Sequence, residues 1–543
     1  MHYTFKTLGS FLFSSLLSIA LLAQAPAFQD TIQKIDALFS KWNTDTPGGA
    51  LTISRKGEII YHKAFGMADL EHNLANTTET IFEAGSVSKQ FTAAAILLLV
   101  QDGKLSLEDD VRKYVPEIPD YGVTIKIRHL MTHSSGLRDW GSVAGISGWE
   151  RGKRVHTHAH VLEILSQQKA LNFPPGDQFN YCNSGYNLMA IIVDRVSGMP
   201  FAAFCKQRIF EPLGLTHTQW RDDYRKIVQN RAIAYSKNGD DYLQNMPFEM
   251  VYGNGGLLTT TSDLIKWNHH YKEMNLGNKS FNELELTEGK SNTGVPLGYA
   301  AGLFIGKYNS YKEINHSGAT AGYRAWLAYY PAQDFSVAFL SNDASANPGR
   351  IGTQVAALLL GERQSNEPML GTIVPDEKTL QAKAGLYKSL RNDDMMQFAV
   401  RDGLLQFKAG DPLQATAMNT FFNGNNRMEF ASNKFVLYTE NGDSMTYVKK
   451  ESFQPTEAIL QSFMGTYHSE DADATYQVIW KDKTLQTFLQ PDIYSKLTPL
   501  YKNAFENESG ELLEFQYDKK GKITGFRFTT GRAWDIPFER IKG

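Results

Sequence analysis

The hydrophobic and polar positions of this chain follow two patterns, which meet roughly two thirds of the way along it. In the first part, helix-like and strand-like stretches alternate, beginning with two strands at residues 50–54 and 58–61 joined by an Arg-Lys-Gly turn. Residues 91–100 are apolar on every face, which is typical of a helix buried on all sides, and Asp102-Gly103 ends it. The pattern predicts a mixed α/β domain with this helix at its centre.

Beyond residue 378 the pattern becomes that of antiparallel β structure. Residues 364–378 lack periodicity and contain two prolines, so they are predicted to be a linker. After them, short alternating segments rich in Phe, Tyr, Val and Leu are separated by Asp-Gly, Gly-Asn and Lys-Gly turns. The sequence therefore predicts a second, β-rich part of the molecule.

This second part contains an internal repeat. Five residues, Leu380, Gln381, Gly385, Tyr387 and Ser389, recur at one constant offset as Leu460, Gln461, Gly465, Tyr467 and Ser469. Two copies of one module of about 80 residues are indicated, each long enough for a small closed barrel. The predicted domains are therefore residues 28–363, the linker 364–378, a first barrel module 379–455 and a second barrel module 456–543.

The N-terminal residues have the pattern of an export signal. An apolar stretch over residues 8–22 follows Lys6 and leads to Ala25-Pro26-Ala27. A membrane anchor and a buried helix are the alternatives, but the stretch is shorter than the roughly 20 residues that span a bilayer, and it ends in small residues. The sequence predicts a signal peptide over residues 1–27, a periplasmic or extracellular location, and no stable membrane anchor after cleavage.

Composition narrows the classes of partner. The 543 residues include 55 Lys and Arg against 58 Asp and Glu, so the charge does not indicate a nucleic acid or an acidic surface as a partner. The two cysteines, Cys182 and Cys205, are too few for a disulfide scaffold or a zinc-thiolate site. We expect two buried thiols, with a single bridge as the alternative, and the sequence does not predict the oligomeric state.

Ser86-Val87-Ser88-Lys89 stands directly before the apolar helix. Ser86 is expected in the first turn of that helix, with Lys89 one turn on and on the same face. A serine hydroxyl needs a base to become a nucleophile, and a lysine can serve if burial or nearby positive charge lowers its pKa. The same spacing occurs by chance in ordinary helix caps, so it is the position before a buried helix that favours catalysis.

A second group of polar residues, Tyr181-Cys182-Asn183, follows a Pro-Pro-Gly turn. A tyrosine beside a lysine ammonium can ionise more readily and pass on a proton, and Asn183 offers both a donor and an acceptor to a substrate amide. Tyr252-Gly253-Asn254 has the same pattern. From these residues alone, both tyrosines remain candidates.

A third group, His316-Ser317-Gly318, precedes the strand-like residues 324–330. Because Gly318 has no Cβ, a substrate backbone can approach it closely and pair with this edge as an added strand. Taken alone, His316 is more typical of an ordinary surface histidine.

In this order and at these separations, the three groups resemble those of the serine β-lactamase and penicillin-recognising family, in particular its class C-like, D,D-peptidase, D-aminopeptidase and esterase branch. Flanking blocks agree over most of residues 30–362: Phe-Glu-Ala-Gly at 82–85, Leu-Met-Thr-His-Ser-Ser-Gly-Leu at 130–137, Pro-Leu-Gly-Leu at 212–215 and Gly-Gly-Leu-Leu-Thr-Thr at 255–260. The breadth of the agreement makes it more specific than any one triplet.

The resemblance implies a role for each residue of the first two groups. Ser86 is implied as the nucleophile, Lys89 as its partner, Tyr181 as the acid and base of acyl transfer, and Asn183 as a ligand of the substrate amide. This choice settles the ambiguity between the two tyrosines and leaves Tyr252 as a residue of the cleft or core. Whether Lys89 or Tyr181 is the base for acylation stays open.

The resemblance also implies an oxyanion hole formed by the backbone N–H groups of Ser86 and Ala319, with His316 and Gly318 in contact with the substrate.

The chain departs from the family pattern at two positions. Cys182 stands where many members have Ser or Ala, a change that leaves the function intact. His316 stands where true β-lactamases usually have Lys, which resembles the D,D-peptidase and D-aminopeptidase members and argues against efficient antibiotic hydrolysis.

We therefore predict an α/β (α+β) β-lactamase/transpeptidase-like domain, an antiparallel sheet flanked by helices, followed by two small antiparallel, lipocalin-like barrels similar to the paired barrels of D-aminopeptidases. The predicted activity is that of an exported serine hydrolase acting through a Ser86 acyl-enzyme on small molecules or short peptides and amides, preferably those containing D-amino acids. A carboxylesterase or a β-lactamase of the same family is the alternative. No cofactor or metal is expected.

Two rival functions differ in class. A metal hydrolase would use clustered histidines, and the candidates are His156, His158 and His160, with His269 and His270 elsewhere; no His-Glu-x-x-His motif occurs, so a solvated loop is favoured. A non-catalytic, penicillin-binding-like envelope sensor is the other rival. A sensor of this kind would not require Ser86, Lys89, Tyr181 and Asn183 together, so the presence of all four argues against it.

Overall fold

A computed structural model describes residues 26–362, 372–408, 410, 412–440 and 442–542. The predicted signal peptide falls almost wholly outside these residues, as does much of the predicted linker. Of that linker, residues 372–376 have no regular structure, and a helix begins at Glu377, the last but one residue of the predicted linker. The domain boundaries remain predictions.

The first domain contains ten α-helices in the described residues: α1 (Pro26–Ala37), α2 (Lys89–Gln101), α3 (Ile127–Met131), α4 (Trp140–Ile146), α5 (His158–Ser166), α6 (Asn183–Ser197), α7 (Phe201–Cys205), α8 (Thr261–Glu273), α9 (Lys279–Glu285) and α10 (Pro348–Leu360). Its strands are β1 (Gly49–Arg55), β2 (Glu58–Phe65), β3 (Met67–Asp69), β4 (Leu74–Ala75), β5 (Phe82–Glu83), β6 (Gln219–Trp220), β7 (Tyr235–Asn238), β8 (Asp241–Gln244), β9 (Leu257–Thr259), β10 (Phe304–Tyr308), β11 (Tyr311–Thr320), β12 (Tyr323–Tyr330) and β13 (Phe335–Ser341).

A six-stranded antiparallel sheet in the order β10-β11-β12-β13-β1-β2 forms the centre of this domain. Strand β1 shows how it is covered, because successive strand side chains point to opposite faces. Leu51 and Ile53 join the apolar cluster that includes α1 and α10, whereas Ala50 joins the larger cluster built around α2. The predicted arrangement, an antiparallel sheet flanked by helices, is confirmed.

Helix α2 is the buried central helix that the sequence predicts. Its residues from Lys89 to Leu99 are all buried. Ser86, however, does not lie in the first α-helical turn; it lies in a separate 3₁₀ turn, Gly85–Ser88, directly before it. The reason is the hydrogen bonding, since Val87 N–H donates to Ala84 O at 3.2 Å, and Lys89 N–H donates to Ser86 O, both in the i to i+3 pattern of a 3₁₀ turn.

The C-terminal part has two short helices, α11 (Glu377–Lys383) and α12 (Glu457–Ser462). Its strands are β14 (Gly385–Ser389), β15 (Met395–Arg401), β16 (Leu404–Phe407), β17 (Gln414–Ala417), β18 (Thr420–Asn423), β19 (Asn426–Phe430), β20 (Lys434–Tyr438), β21 (Ser444–Lys450), β22 (Gly465–Ser469), β23 (Ala474–Lys481), β24 (Thr484–Leu489), β25 (Ile493–Lys496), β26 (Thr498–Tyr501), β27 (Ala504–Glu506), β28 (Leu512–Tyr517), β29 (Ile523–Thr529) and β30 (Ile536–Ile541).

These strands form two antiparallel sheets, one barrel-like and the other a half-barrel, in agreement with the predicted fold class. The repeated residues occupy equivalent places in them. Tyr387 on β14 donates a hydrogen bond to Lys383 O at 2.9 Å, and Tyr467 on β22 donates one to Phe463 O at 2.7 Å. In both copies the tyrosine therefore fastens the end of a short helix to the strand that follows it.

The second C-terminal sheet shares a core with the first domain. Val143 and Ile146 of α4 belong to the same apolar cluster as the side chains inside this sheet. Beside them, Arg138 Nη1 lies 2.7 Å from Asp471 Oδ2, and both side chains are almost completely buried. The contact surface is therefore packed like an interior and includes a buried ion pair.

Both cysteines are buried and free, as predicted. Among the residues that the structure describes, no single helix combines the length and apolarity of a bilayer span, and one pair, Asn183–Ser197 with Phe201–Phe210, passes that test only jointly and with a bend of 81°.

Candidate active site

The turn that carries Ser86 is held in place by its neighbours. Gly85 has a φ of 51°, and a Cβ at this position would lie 2.6 Å from Ala319 N, so a side chain here would collide with β11. Ser88 Oγ donates to Gly85 O at 2.5 Å and accepts from Leu257 N–H at 3.0 Å. The turn is thus fixed between β11 on one side and β9 on the other.

Lys89 is fully buried, and its Nζ has three oxygen neighbours. These are Ser86 Oγ at 3.1 Å, Asn183 Oδ1 at 3.0 Å and Asn254 O at 2.6 Å. Burial lowers the pKa of Lys89 well below 10.5, and the positive charge of Arg532 lowers it further. The amine is therefore much easier to deprotonate than that of an exposed lysine.

The geometry around Lys89 orients the lone pair of the neutral amine. The two carbonyl oxygens, Asn183 Oδ1 and Asn254 O, cannot donate, so each takes one N–H of the amine. A neutral amine has only two N–H groups, which leaves its lone pair for the third neighbour, Ser86 Oγ. Of these three oxygen neighbours, only the Ser86 hydroxyl can donate a proton to Lys89.

Tyr181 lies over Lys89, with Nζ 4.8 Å from the centre of the ring. Its hydroxyl is buried and close to Ser86, but it forms no hydrogen bond with any described residue. Burial raises the pKa of Tyr181, and the proximity of the Ser86 side chain lowers it only in part. The sequence suggested that a lysine ammonium would make this phenol easier to ionise. The structure differs, because burial favours the uncharged form of Lys89 and raises the pKa of Tyr181.

The loop that presents Tyr181 and Asn183 is fastened to the domain by backbone hydrogen bonds. Cys182 N–H donates to His133 Nδ1 at 3.1 Å, and Asn183 N–H donates to Asp139 Oδ2 at 2.6 Å. Asn183 also begins α6, so the start of this helix aims its amide at Lys89.

The structure separates the two similar triplets. Tyr252 lies away from the cleft, with its ring against His158 at 4.2 Å and Phe201 at 5.7 Å. The third residue of its triplet, Asn254, does reach the site, through its backbone carbonyl. Tyr181 therefore lies beside the nucleophile, and the second triplet contributes an acceptor for Lys89.

His316 on β11 is a buried, neutral residue of the cleft wall. Its Nε2 lies 3.0 Å from Tyr299 OH, and its Nδ1 lies 2.5 Å from Ser317 O. A carbonyl only accepts, so Nδ1 carries the proton and Nε2 accepts from the phenol. Burial lowers the pKa of His316 to about 3, so it adds polarity but no charge to the site.

Gly318 has a different neighbour from the one that the sequence suggested. A Cβ here would lie 2.0 Å from Ala84 O, so the missing side chain makes room for the chain before Ser86. The strand edge is nevertheless open to a substrate beside it. Strand β10 pairs with β11 only as far as Asn315, which leaves residues 316–320 unpaired on that side. Ala319 N lies next to Gly85, so the two proposed oxyanion donors are close together.

A cleft of about 820 Å³ opens above Ser86. The residues predicted from sequence that line it are Ser86, Tyr181, Asn183, His316, Gly318 and Ala319. Three arginines that sequence reasoning missed also line it: Arg151, Arg324 and Arg532. No local pattern marks these arginines, and Arg532 comes from the second C-terminal sheet.

The histidines considered as metal ligands are engaged elsewhere. His156 Nε2 lies 3.0 Å from Trp149 O, His158 Nε2 3.2 Å from Tyr252 N, and His160 Nδ1 accepts from Thr157 N–H. Within the described residues, the group with a spacing suited to a metal is a different one, Asp69, Glu71 and His72.

Comparisons with known proteins agree with this geometry. The β-lactamase family model matches residues 28–362, more than half of the chain. Penicillin-binding protein 4* of Bacillus subtilis (strain 168) is 29% identical over 314 residues, which cover 54% of this chain and 68% of that protein.

Two solved structures share the fold. The octameric penicillin-binding protein homologue from Pyrococcus abyssi has a TM-score of 0.55 and 24% identity, covering 86% of this chain and 99% of its own. The D-amino acid amidase from Ochrobactrum anthropi SV3, with L-phenylalanine amide, has a TM-score of 0.52 and 20% identity, covering 61% of this chain and 97% of its own. At these identities the likeness concerns the fold.

Proposed function

Because the chain belongs to the β-lactamase family and is a serine hydrolase, we propose that it cleaves small peptides or amides that contain D-amino acids, through an acyl-enzyme on Ser86. The observation that carries this proposal is the arrangement around Lys89. Two carbonyl oxygens take the N–H groups of the neutral amine, so its lone pair is directed at Ser86 Oγ. A buried amine in this position is a general base.

In the first half of the proposed reaction, Ser86 Oγ attacks the substrate carbonyl while its proton moves to Lys89 Nζ. The oxyanion that forms accepts hydrogen bonds from the N–H groups of Ser86 and Ala319. Each such donor typically lowers the barrier by about 3 to 4 kcal/mol. Lys89, rather than Tyr181, is assigned as the base for acylation, because burial keeps the phenol protonated.

In the second half, the C–N bond breaks and the leaving nitrogen takes a proton from the Tyr181 hydroxyl, which recovers one from the Lys89 ammonium. Because burial raises the pKa of Tyr181, the phenol is protonated and carries the proton that this step needs. Water then attacks the acyl carbonyl, passes one proton back through the same groups to Ser86 Oγ and releases the acid. Atoms and charges balance without a cofactor.

Adduct formation tests the nucleophile. A fluorophosphonate is expected to add its phosphonyl mass to the wild-type protein and not to Ser86→Ala, with unchanged circular dichroism. Ser345→Ala is a matched control, since Ser345 also lines the cleft but lies outside the three groups. An adduct on Ser86→Ala would refute the assignment.

Turnover tests the substrate class. We expect D-amino-acid peptides and amides to be hydrolysed fastest, simple esters next and β-lactams slowest. The D-amino acid amidase among the proteins with this fold supports this order, as does the neutral His316. Faster hydrolysis of esters or β-lactams would favour the alternatives within the family. An acylation burst without turnover on every substrate would favour a sensor.

Export is part of the same proposal. Expression in a bacterial host is expected to yield a periplasmic or secreted protein whose N-terminus lies close to Phe28. A cytoplasmic product that retains Met1 would contradict the predicted signal peptide.

A further inference from the structure

The cleft above Ser86 is positively charged. Arg151, Arg324 and Arg532 line it, and none of the described residues that line it is an aspartate or a glutamate. Lys89 contributes little positive charge to the cleft, since its burial favours the uncharged form. Any charge that the cleft offers to a substrate therefore comes from the arginines.

The three arginines are not equally available. Arg151 donates two hydrogen bonds to Glu249, at 2.7 and 2.6 Å, so its charge is already compensated. Arg324 uses Nη1 for the backbone oxygens of Ala321 and Tyr323. The guanidinium of Arg532 forms no hydrogen bond or ion pair with any described residue.

The side chain of Arg532 is exposed, and its guanidinium lies 4.8 Å from the centre of the Tyr181 ring. The phenol of Tyr181 is the group assigned to the leaving nitrogen. The unpaired cation is therefore on the side of the cleft where the bond breaks, within reach of a group attached to that nitrogen.

The backbone of Arg532, by contrast, is firmly held by the first domain. Its carbonyl accepts from Asp139 N–H at 3.0 Å and from Asn172 Nδ2 at 3.0 Å. Trp534 N–H donates to Asn172 Oδ1 at 2.8 Å, and Arg138 Nε donates to Trp534 O at 3.1 Å. The loop between β29 and β30 is fixed at the mouth of the cleft, while the guanidinium that it carries makes no hydrogen bond or ion pair with a described residue and lies over the Tyr181 ring.

We propose that Arg532 is a specificity-determining residue, supplied by the second C-terminal sheet, that selects substrates with a carboxylate close to the scissile bond. A guanidinium presents paired N–H donors that match the two oxygens of a carboxylate. The C-terminal part of the chain is then a portion of the active site rather than a separate binding module. This inference rests on the proposed hydrolase activity and names the group that its substrate carries.

Three peptides separate the sources of the carboxylate. N-acetyl-D-Ala-D-Ala has a terminal carboxylate, its C-terminal amide has none, and the amide of N-acetyl-D-Ala-D-Glu has one on a side chain. The wild-type enzyme is expected to prefer a carboxylate peptide over the neutral amide by about tenfold or more in kcat/KM, the scale of a charge-assisted hydrogen bond. The better of the two carboxylate peptides identifies the source.

Arg532→Gln is expected to lower kcat/KM on the preferred carboxylate peptide by about 10- to 100-fold, and on the neutral amide by less than about threefold. Arg532→Lys retains the charge and should keep part of the preference. The matched control is Arg427→Gln, because Arg427 also lies over a tyrosine ring, that of Tyr438, but on the first C-terminal sheet. It should leave both rates unchanged.

The ratio of the two rates isolates recognition from chemistry. Arg532 also influences Lys89, but a changed base would slow both substrates alike, whereas lost recognition slows only the carboxylate peptide. A preference that persists in Arg532→Gln, or a wild-type enzyme without any preference, would overturn the role of Arg532 and leave the hydrolase assignment standing. Failure of the wild-type protein to hydrolyse any peptide or to form an adduct at Ser86 would instead overturn the proposed function.

Discussion

At the scale of single residues, the environment of Lys89 connects burial to chemistry. The side chain is surrounded by protein, and its nearest oxygens are neutral carbonyls and a hydroxyl. Without a carboxylate partner, nothing adjacent compensates the cost of burying an ammonium, so the neutral form gains. The more distant charges act in opposite directions: Arg532 and Arg151 lower the pKa of Lys89, whereas Asp139 raises it.

The pH dependence of acylation follows from these charges. Only the uncharged amine accepts the Ser86 proton, so the rate is expected to rise with pH through a pKa below 10.5. Arg532→Gln removes a positive charge that favours the neutral amine. The pKa of Lys89 should therefore rise. The rising part of the pH–rate profile, here called the limb, should then move to higher pH. Rates of fluorophosphonate labelling across about pH 5 to 10 measure this.

Arg427→Gln should leave that limb in place, because its charge is on the other C-terminal sheet. A limb that stays fixed or moves to lower pH in Arg532→Gln would show that the cation does not act on Lys89.

What could be predicted at this scale depends on distance along the chain. Ser86 and Lys89 are three residues apart, so local geometry alone places them together. Tyr181 could be chosen over Tyr252 only through the family resemblance, since both triplets read alike. Arg532 could not be found at all, because its place in the cleft depends on how a distant loop docks, and no local spacing encodes that.

At the scale of elements, the short turn before α2 positions the nucleophile. Sequence periodicity predicts the apolar helix well, because a buried helix is apolar on all faces. The change from 3₁₀ to α geometry at Lys89 is not visible in periodicity, since it depends on contacts with β9 and β11. Ser88 provides one of these, bonding both Gly85 O and Leu257 N–H.

Ser88→Ala is expected to lower the free energy of unfolding by about 1 to 3 kcal/mol, because a buried N–H and a buried carbonyl each lose a partner. Hydrolysis should also slow, since the turn carries Ser86. Urea denaturation and kcat measure the two effects. Ser147→Ala is the control: its hydroxyl bonds Ala144 O at the end of α4, and its loss should cost less than about 1 kcal/mol. Equal stability of Ser88→Ala and the wild type would contradict this account.

The C-terminal strands show a second limit of sequence reasoning. Alternation and turn residues predict short antiparallel strands, which the structure confirms. Closure into a barrel depends on whether the edge strands pair. In the second sheet the edges are β25 and β26, neighbours in the chain that do not pair with each other. Such pairing is a property of tertiary geometry, so the sequence could indicate a barrel but not how far it closes.

At the scale of the whole molecule, buried neutral histidines make stability depend on pH. Burial lowers the pKa of His129 and His158 to about 4, that of His316 to about 3 and that of His133 well below 6.5. In the unfolded chain these groups titrate near 6.5, so below that pH the unfolded state binds more protons. Stability that is present above about pH 6.5 should be lost as the pH falls towards 4.

Each of these histidines contributes up to about 1.4 kcal/mol per pH unit to this loss. Urea midpoints measured between about pH 8 and 5 should therefore fall steeply below 6.5. His129→Gln removes one of the groups and should make the slope shallower. Constant midpoints over this range would contradict the assignment of neutral, buried histidines.

The docking of the second C-terminal sheet is the feature of the whole molecule on which substrate selection depends. Arg138 and Asp471 form a buried pair across this contact. Replacing only Arg138 by Met leaves the Asp471 carboxylate buried without its partner, which typically costs about 3 to 5 kcal/mol. The loop that carries Arg532 is bonded to Arg138, so the carboxylate preference should weaken as well.

A second substitution separates charge burial from packing. In Arg138→Met with Asp471→Leu, neither charge of this pair remains buried, and stability should return most of the way to that of the wild type. Lys169→Ala is the matched control, because Lys169 pairs with Glu470 across the same contact but in solvent, where such pairs contribute about 0 to 1 kcal/mol. Thermal unfolding and the carboxylate-to-amide rate ratio should change together in Arg138→Met. If the ratio survives while stability falls, the cleft does not need this contact to place Arg532, and docking and selection are independent properties of the chain.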